Sequence, residues 1–430
     1  MTLLHVSIEV LYPAEPIDSP GVASRSWEPS HSGTCQPTSA DRVEQPAHAG
    51  HAGTNPSVGT ALNASPTSVF GSNPVQHQHK SCRTRISILG TPAPESCALA
   101  RFTAGLSRAL SGKGVDVSVV GDRASPHSSD QPLDEADVAI VHQDFRAATE
   151  NVVDIVDRLS IPSIVIIGDI PKYATAQQCS DIEAVAAAAT QIVVMSQSAR
   201  QRLCRNHDVD HRKVRAIPHG STVPATVRMK RPSRPTILTW GWLAPGDGVE
   251  RVIDVMASLK DVPGRPRYLV AGPTHPHTLA VEGEEYREAR IDQANSCGVA
   301  DSVSFDPGSY DGAMLATLFQ QSSVVVLPYD STQQVASRVL VESIAHGRPV
   351  IATAFPHANE LLNGGAGAVV EHDDSAGLAA TLRQIITQPR LAGAMAAEAR
   401  HMAPEMAWQT VAGAYVRLAQ SIVAPEPIRV

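Results

Sequence analysis

From Arg83 onward the chain repeats one pattern: a short apolar run, a turn, then a stretch with apolar residues at helical spacing. The runs "RISILG", "ADVAIVHQDF", "PSIVIIGDI" and "QIVVMS" are apolar throughout rather than alternating, and helical text such as "ALARFTAGLSRALSGKG" or "QSARQRLCRNH" intervenes. A strand apolar on both faces must be covered on both faces, and strand–helix alternation supplies that cover around a parallel sheet. After the break "VPATVRMKRPSRP" the alternation restarts with "TILTWG" and continues through "RYLVAGP", a long polar helix over 282–296, "SVSFDPG", "SVVVLPY" and "PVIATAF". The expected fold class is α/β, with two doubly wound, Rossmann-like domains facing across a cleft. Expected boundaries are 83–228 and 234–403, with a last helix, 404–424, crossing back to brace the first domain.

Residues 1–82 are expected to be disordered. They are low in complexity, rich in Ser, Pro, Gly, Thr and His, and almost without apolar periodicity, so they cannot bury enough surface to offset their ordering entropy.

Composition narrows the function. The net charge of -8, from 35 Lys and Arg against 43 Asp and Glu, argues against a nucleic-acid partner, which selects a basic surface. The 6 cysteines form no CxxC pair, and the 17 histidines form no HExxH or Cys/His cluster, so neither a disulfide framework nor a metal site is expected. No apolar run reaches the roughly 18 residues that span a bilayer. The N-terminus "MTLLHVSIEV" lacks a basic start. A cytoplasmic location is expected. The basic stretch "RMKRPSRP" reads as a solvated linker, with weak peripheral membrane association left open.

In such folds ligands bind outside the carboxyl ends of the strands. Two strand-to-helix turns stand out in the second half. "GWLAPGDG" contributes Gly241, Trp242 and Asp247, and "STQQVASRV" leads into a helix carrying Glu342. Helix N-termini present unpaired N–H groups and a partial positive charge, so the amides of Ala336, Ser337 and Arg338 suit a diphosphate. Val339 and Leu340 complete that first turn. Glu342 is placed to accept hydrogen bonds from a ribose diol. Thr274 and His275 follow a strand and are candidate contacts, with ordinary turn roles an even alternative. Asp144 and Asp169 end first-half strands, as an acceptor-side base or as helix caps. His219, Trp408 and Tyr415 read as structural.

The run "VLVESIAHGRPVIATAFPHANELL", with "GPTHPHTLAVEGEEYREA", "AIPHGSTVP" and "CALARFTAGLSRAL", resembles family 4 retaining glycosyltransferases of the GT-B fold over roughly residues 84–420. The resemblance implies a nucleoside-diphosphate hexose (GDP- or UDP-linked) held by the second domain. It also implies an unidentified glycan, lipid or small-molecule acceptor in the first, with retention at the anomeric carbon. No further cofactor is implied. The transition state is oxocarbenium-like, and the protein's main task is to stabilise charge on the departing diphosphate.

The chain departs from the family pattern at several positions. Trp242 and Asp247 stand where the family carries a basic pair. Gln334 stands for the first glutamate of its E-x7-E motif, whose second is Glu342. Gly168 and Asp169 stand near an expected His, and Ala98 replaces a glycine. Arg338 is the candidate replacement for the basic pair, so Gln334, Arg338 and Asp169 are the expected catalytic residues. The alternative from another class is a catalytically impaired relative that binds sugar nucleotide or glycan as a partner or regulator. A two-domain epimerase is a third reading.

Overall fold

The computed structural model describes residues 84–89, 98–120, 135–143, 152–225 and 234–423, all within one compact unit, Gln78–Val430. The segment expected to be disordered, Asp144, and most of the basic linker lie outside the described residues.

The strands form two six-stranded sheets in which every recorded pairing is parallel. The first contains β1 (Arg85–Leu89), β2 (Asp116–Val120), β3 (Val138–Gln143), β4 (Ser163–Ile167), β5 (Gln191–Val194) and β6 (Val214–Ala216), in the order β2-β1-β3-β4-β5-β6. The second contains β7 (Thr236–Trp240), β8 (Arg267–Ala271), β9 (Val303–Asp306), β10 (Val324–Leu327), β11 (Val350–Thr353) and β12 (Gly367–Val370), in the order β12-β11-β10-β7-β8-β9. The central strands β4, β7, β10 and β11 are buried at every position, which is why their sequences do not alternate.

Apolar clusters cover both faces of each sheet. On the first sheet, α1 (Ala98–Ser111) packs on one face, while α2 (Val152–Asp157), α3 (Ala176–Ala188) and α4 (Gln197–Asn206) share a cluster with the other. On the second, one cluster holds α5 (Val249–Met256), α7 (Glu285–Ser296) and α11 (Ser375–Thr387). The other holds α8 (Gly312–Gln321), α9 (Arg338–Ala345), α10 (Pro356–Leu362) and α12 (Pro389–Met406). Cores built from Val, Ile, Leu and Ala follow from a chain with 4% aromatic residues; each Val, Ile or Leu side chain contributes about 1.5–3 kcal/mol on full burial, and Ala less.

Two elements differ from the expectation. The polar helix expected over 282–296 is α7, which begins at Glu285, and a further short helix, α6 (Pro276–Glu282), precedes it and ends at Gly283, whose φ of 66° breaks the helix. The segment before the last helix is itself helical. α12 runs through Pro404 to Met406, and the chain turns extended at Ala407 before α13 (Trp408–Val423) begins.

That turn is a joint. Ala407 and Ser221 form a parallel bridge, with Ser221 N donating to Met406 O at 2.8 Å and Trp408 N to Ser221 O at 3.1 Å. The Trp408 ring fills the space beside two glycines: a Cβ on Gly105 would meet it at 2.4 Å, and one on Gly220 at 2.1 Å. From there α13 packs along α1, and Val411, Ala412, Tyr415, Leu418 and Ala419 join the core of the first sheet.

Candidate functional site

In the second sheet β7 lies between β8 and β10. The chain builds outward from β7 through β8 to β9, then returns to the other side at β10. The loops after β7 and β10 therefore flank a topological switch point, where open α/β sheets bind ligands. The corresponding loops of the first sheet, after β1 and β3, lie outside the described residues.

Glycines bring the loops together. Gly248 caps α5 at φ 67°, and a Cβ there would lie 1.8 Å from Pro328 O, just beyond β10. Gly272, at φ 133°, would place a Cβ 1.8 Å from Gly241 O. Gly241, also at positive φ, donates its amide to Ala271 O at 3.0 Å. The resulting cavity, small at about 50 Å³, is lined among others by Trp240, Gly241, Trp242, Asp247, Tyr329 and Val339.

Trp242 meets the His275 ring edge-on, with centroids 4.9 Å apart, and His275 caps α6 through its ring nitrogen. Asp247 turns into its own loop, where it accepts a hydrogen bond from Ala244 N at 2.7 Å. Burial, reinforced by Glu250 and Asp330, pushes its carboxyl up to about 7 against the pull of that hydrogen bond. The charge expected to repel a diphosphate is thus half-titrated near neutrality.

Thr274 is turned inward. It is buried, donates to the Glu284 carboxylate, and accepts from Arg287 Nη2 at 3.1 Å, while the same Nη2 donates to Gly272 O at 2.9 Å. This network clamps the loop after β8 rather than opening Thr274 to the crevice.

The loop after β10 reaches the first half of the chain. Val335 is buried within a first-half cluster and Ala336 packs against the other. Gln334 folds over its own loop, donating from Nε2 to Ala336 O at 3.1 Å. Ser337 caps α9 through its hydroxyl, and its amide donates to His357 Nδ1 at 2.8 Å. The Ser337 amide expected to face a diphosphate is therefore occupied. The amides of Ala336, Arg338 and Val339 donate to no acceptor recorded among the described residues. Leu340 is fully buried in the second-half core, so its side chain supports the helix and does not face the crevice.

Arg338 is the first residue of α9, not a loop residue, and donates from Nη1 to both carboxylate oxygens of Glu342, at 3.0 and 3.2 Å. Its guanidinium lies 5.2 Å from the centroid of the Trp240 ring, a cation–π arrangement. Burial pushes the Glu342 carboxyl above its ordinary range, and the charges of Arg338 and Arg101 pull it part of the way back. Arg338 also acts on His219: burial, then the Arg338 charge, brings that imidazole down to about 3. His219 is therefore neutral, with Nδ1–H donating to Gly220 O at 2.7 Å. It packs with Phe102 and Trp408.

Gly241, Trp242, Asp247 and Val339 thus line one cavity, Arg338 reaches its wall through the Trp240 ring, and Glu342 is joined to it only through Arg338. Asp169, at the exposed end of β4, acts electrostatically on Arg202 of α4. Arg101, His357 and Arg202 were missed by sequence reading. His357 falls inside a quoted motif, but no local period ties it to Ser337, twenty positions earlier.

Residues 227–402 match the family model described as glycosyl transferases group 1. The chain is 33% identical over 145 residues to glycogen synthase of Mycobacterium tuberculosis, covering 33% of this chain and 34% of that protein. It is 25% identical over 258 residues to D-inositol 3-phosphate glycosyltransferase of Rhodococcus jostii, covering 57% of this chain and 55% of that one. The chain therefore spans between a third and about half of these curated relatives. HepE of Anabaena, solved with UDP and glucose, superposes with a TM-score of 0.59 at 16% identity, covering 79% of this chain and all of that one. That likeness shows the fold, which is the two-sheet GT-B arrangement. Among the described residues no helix is long and apolar enough to cross a membrane, and no group of three or more His, Cys, Asp or Glu is arranged to hold a metal ion.

Proposed function

We propose, for a chain whose residues 227–402 match group 1 glycosyltransferases and whose sheets have the GT-B arrangement, that it is a hexosyltransferase of the family 4 type. In this reading it moves a hexose, with retention, from a nucleoside diphosphate to a glycan, lipid or small-molecule acceptor in the cytoplasm. The observation that carries the reading is the Arg338–Glu342 pair at the switch point of the matched sheet.

The sugar donor lies against the second half. The diphosphate sits at the amino end of α9, where the amides of Ala336, Arg338 and Val339 and the helix dipole favour negative charge. On binding, the Arg338 guanidinium exchanges part of its contact with Glu342 for a phosphate oxygen, leaving the carboxylate to accept from the ribose diol. Gln334 addresses sugar hydroxyls as a neutral hydrogen-bonding group. Trp242 and His275 wall the turn, and Asp247 opposes the diphosphate increasingly as it ionises. The acceptor enters from the first half, past Asp169. Charge that develops on the leaving diphosphate is met by Arg338 and the helix amides, so the reading demands no metal.

The test is direct. UDP-glucose and GDP-mannose are incubated with the protein, UDP and GDP release is followed, and nucleotide affinity is measured by calorimetry. Release of nucleoside diphosphate supports the reading, while absence of binding by either nucleotide defeats it.

A second reading, a catalytically impaired binder of sugar nucleotide or glycan, is favoured by two observations. Trp242 and Asp247 leave the turn after β7 without a cation, and the remaining guanidinium is already paired with Glu342. Tight nucleotide binding with no turnover selects it.

A further inference from the structure

Arg202 stands on α4, in the first half of the chain, and its side chain reaches the second. One nitrogen, Nη1, donates to two carbonyl oxygens: Ile170 O at 2.9 Å and Gln333 O at 2.7 Å. Ile170 belongs to the loop after β4, which carries Asp169. Gln333 immediately precedes Gln334 in the loop after β10. A single guanidinium nitrogen thus joins the two loops that the transferase reading assigns to acceptor and sugar donor.

The neighbouring contacts repeat this arrangement. Ser196, the cap of α4, donates from Oγ to Val335 O at 2.5 Å, so the carbonyls on both sides of Gln334 are held by one first-half helix. In the other direction, Glu360 of α10 accepts from the first amides of α4, Gln197 N at 3.0 Å and Ser198 N at 2.7 Å. A carboxylate at a helix N-terminus is favoured by the unpaired amides and the dipole. Val335, the residue between these holds, is 1% exposed. The loop that carries Gln334 and leads to Arg338 is therefore shaped by the first half as much as by its own sheet.

We infer that Arg202 is a positioning residue for the transfer reaction. It sets the 333–337 loop in register with the 168–170 loop, so that Gln334 and the amides before α9 reach their working geometry only while Arg202 holds both carbonyls. The inference rests on the transferase reading for its kinetic consequence and on the contacts alone for its structural one. A displacement of about 1 Å in a reacting constellation can cost about 10²-fold in rate. Charged donors to carbonyls are also stronger than neutral ones, so loss of this bridge is felt at the loop.

Arg202→Met keeps length and removes the donors; Arg202→Lys keeps a charged donor. Amide hydrogen exchange of 331–337 and 168–170 and the turnover of UDP-glucose and GDP-mannose are measured on the full chain. The expected result is faster exchange in both loops together in Arg202→Met, with kcat reduced about 10²-fold, KM changed less, and at least a tenfold recovery in Arg202→Lys. Ser196→Ala, which frees the Val335 carbonyl and also uncaps α4 at Ala199 N, should loosen 333–337 and the first turn of α4. Exchange in the two loops unchanged in Arg202→Met overturns the inference, as does equal impairment of Arg202→Met and Arg202→Lys, which would reduce Arg202 to a packing role. If the unaltered chain binds neither nucleotide, the transferase reading fails, and the exchange measurement alone decides whether Arg202 couples the loops.

Discussion

Arg338 and Glu342 stand one helical turn apart on α9, and one guanidinium nitrogen of the first lies 3.0 and 3.2 Å from the two carboxylate oxygens of the second. The pair is largely buried at the amino end of α9, where each charge is expensive without the other. When both side chains are ionised, the pair carries no net charge.

Removing one member should therefore do more harm than neutralising both. Arg338→Ala is expected to weaken UDP or GDP binding about 10- to 100-fold, in line with about 1.5–3 kcal/mol for a charge-assisted hydrogen bond. Glu342→Gln should weaken it by about tenfold. The double variant should fall well short of the sum, because each single change leaves an uncompensated charge. Calorimetric titration of the three variants checks this; unchanged affinity in Arg338→Ala removes Arg338 from the diphosphate site.

Asp247 makes nucleotide binding and stability pH-dependent in a defined direction. Its folded-state pKa, about 7, lies above the ordinary carboxylate value of 3.8. The folded chain therefore holds the proton more tightly than the unfolded one, and this group's contribution to stability falls as pH rises from about 4 to about 7. Asp247→Asn, which retains an oxygen for Ala244 N, should gain on the order of 2–3 kcal/mol more over the parent at pH 8 than at pH 5. Urea unfolding at both pH values measures the difference. Nucleotide affinity of the parent should weaken between about pH 6 and pH 8, where Asp247 ionises in the folded chain, and that of the variant should not.

Two of the buried imidazoles, those of His219 and His357, work the opposite way. Burial brings His219 down to about 3 and His357 to about 4. Protonating His357 would also remove the acceptor for Ser337 N. Both groups take up protons more readily when unfolded, so the stability they contribute is present above about pH 6.5 and is lost as pH falls toward 4. The unfolding free energy from urea titration should drop as pH falls below about 6.5, by on the order of 1 kcal/mol per pH unit for each histidine. His357→Gln should flatten part of that slope.

The joint at Trp408 is sensitive to small additions. A Cβ on Gly220 would lie 2.1 Å from the indole, so Gly220→Ala is expected to destabilise by about 1–3 kcal/mol through overpacking. Trp408→Ala should cost about 3–5 kcal/mol through the cavity it leaves. The double variant Gly220→Ala/Trp408→Ala should recover part of that loss. Thermal unfolding of the set decides; a Gly220→Ala protein as stable as the parent would mean the indole moves aside freely.

The alternation of apolar runs and helical text dictated much of this architecture, because strand and helix periods are local and a strand buried on both faces writes itself as an uninterrupted apolar run. The same locality made "GWLAPGDG" and "STQQVASRV" legible as strand-to-helix turns, and placed Glu342 on the helix that follows the second. Contacts between distant segments left no such trace. That Arg202 would bridge Ile170 and Gln333, that Trp408 would fill the space beside Gly105 and Gly220, and that His357 would occupy the Ser337 amide depend on packing between segments separated by twenty to about three hundred positions. Asp247 is the plainest case. As a residue it is an ordinary carboxylate set to repel a phosphate; burial beside Glu250 and Asp330 raises its pKa to about 7, because proximity and desolvation exist only once the chain has folded.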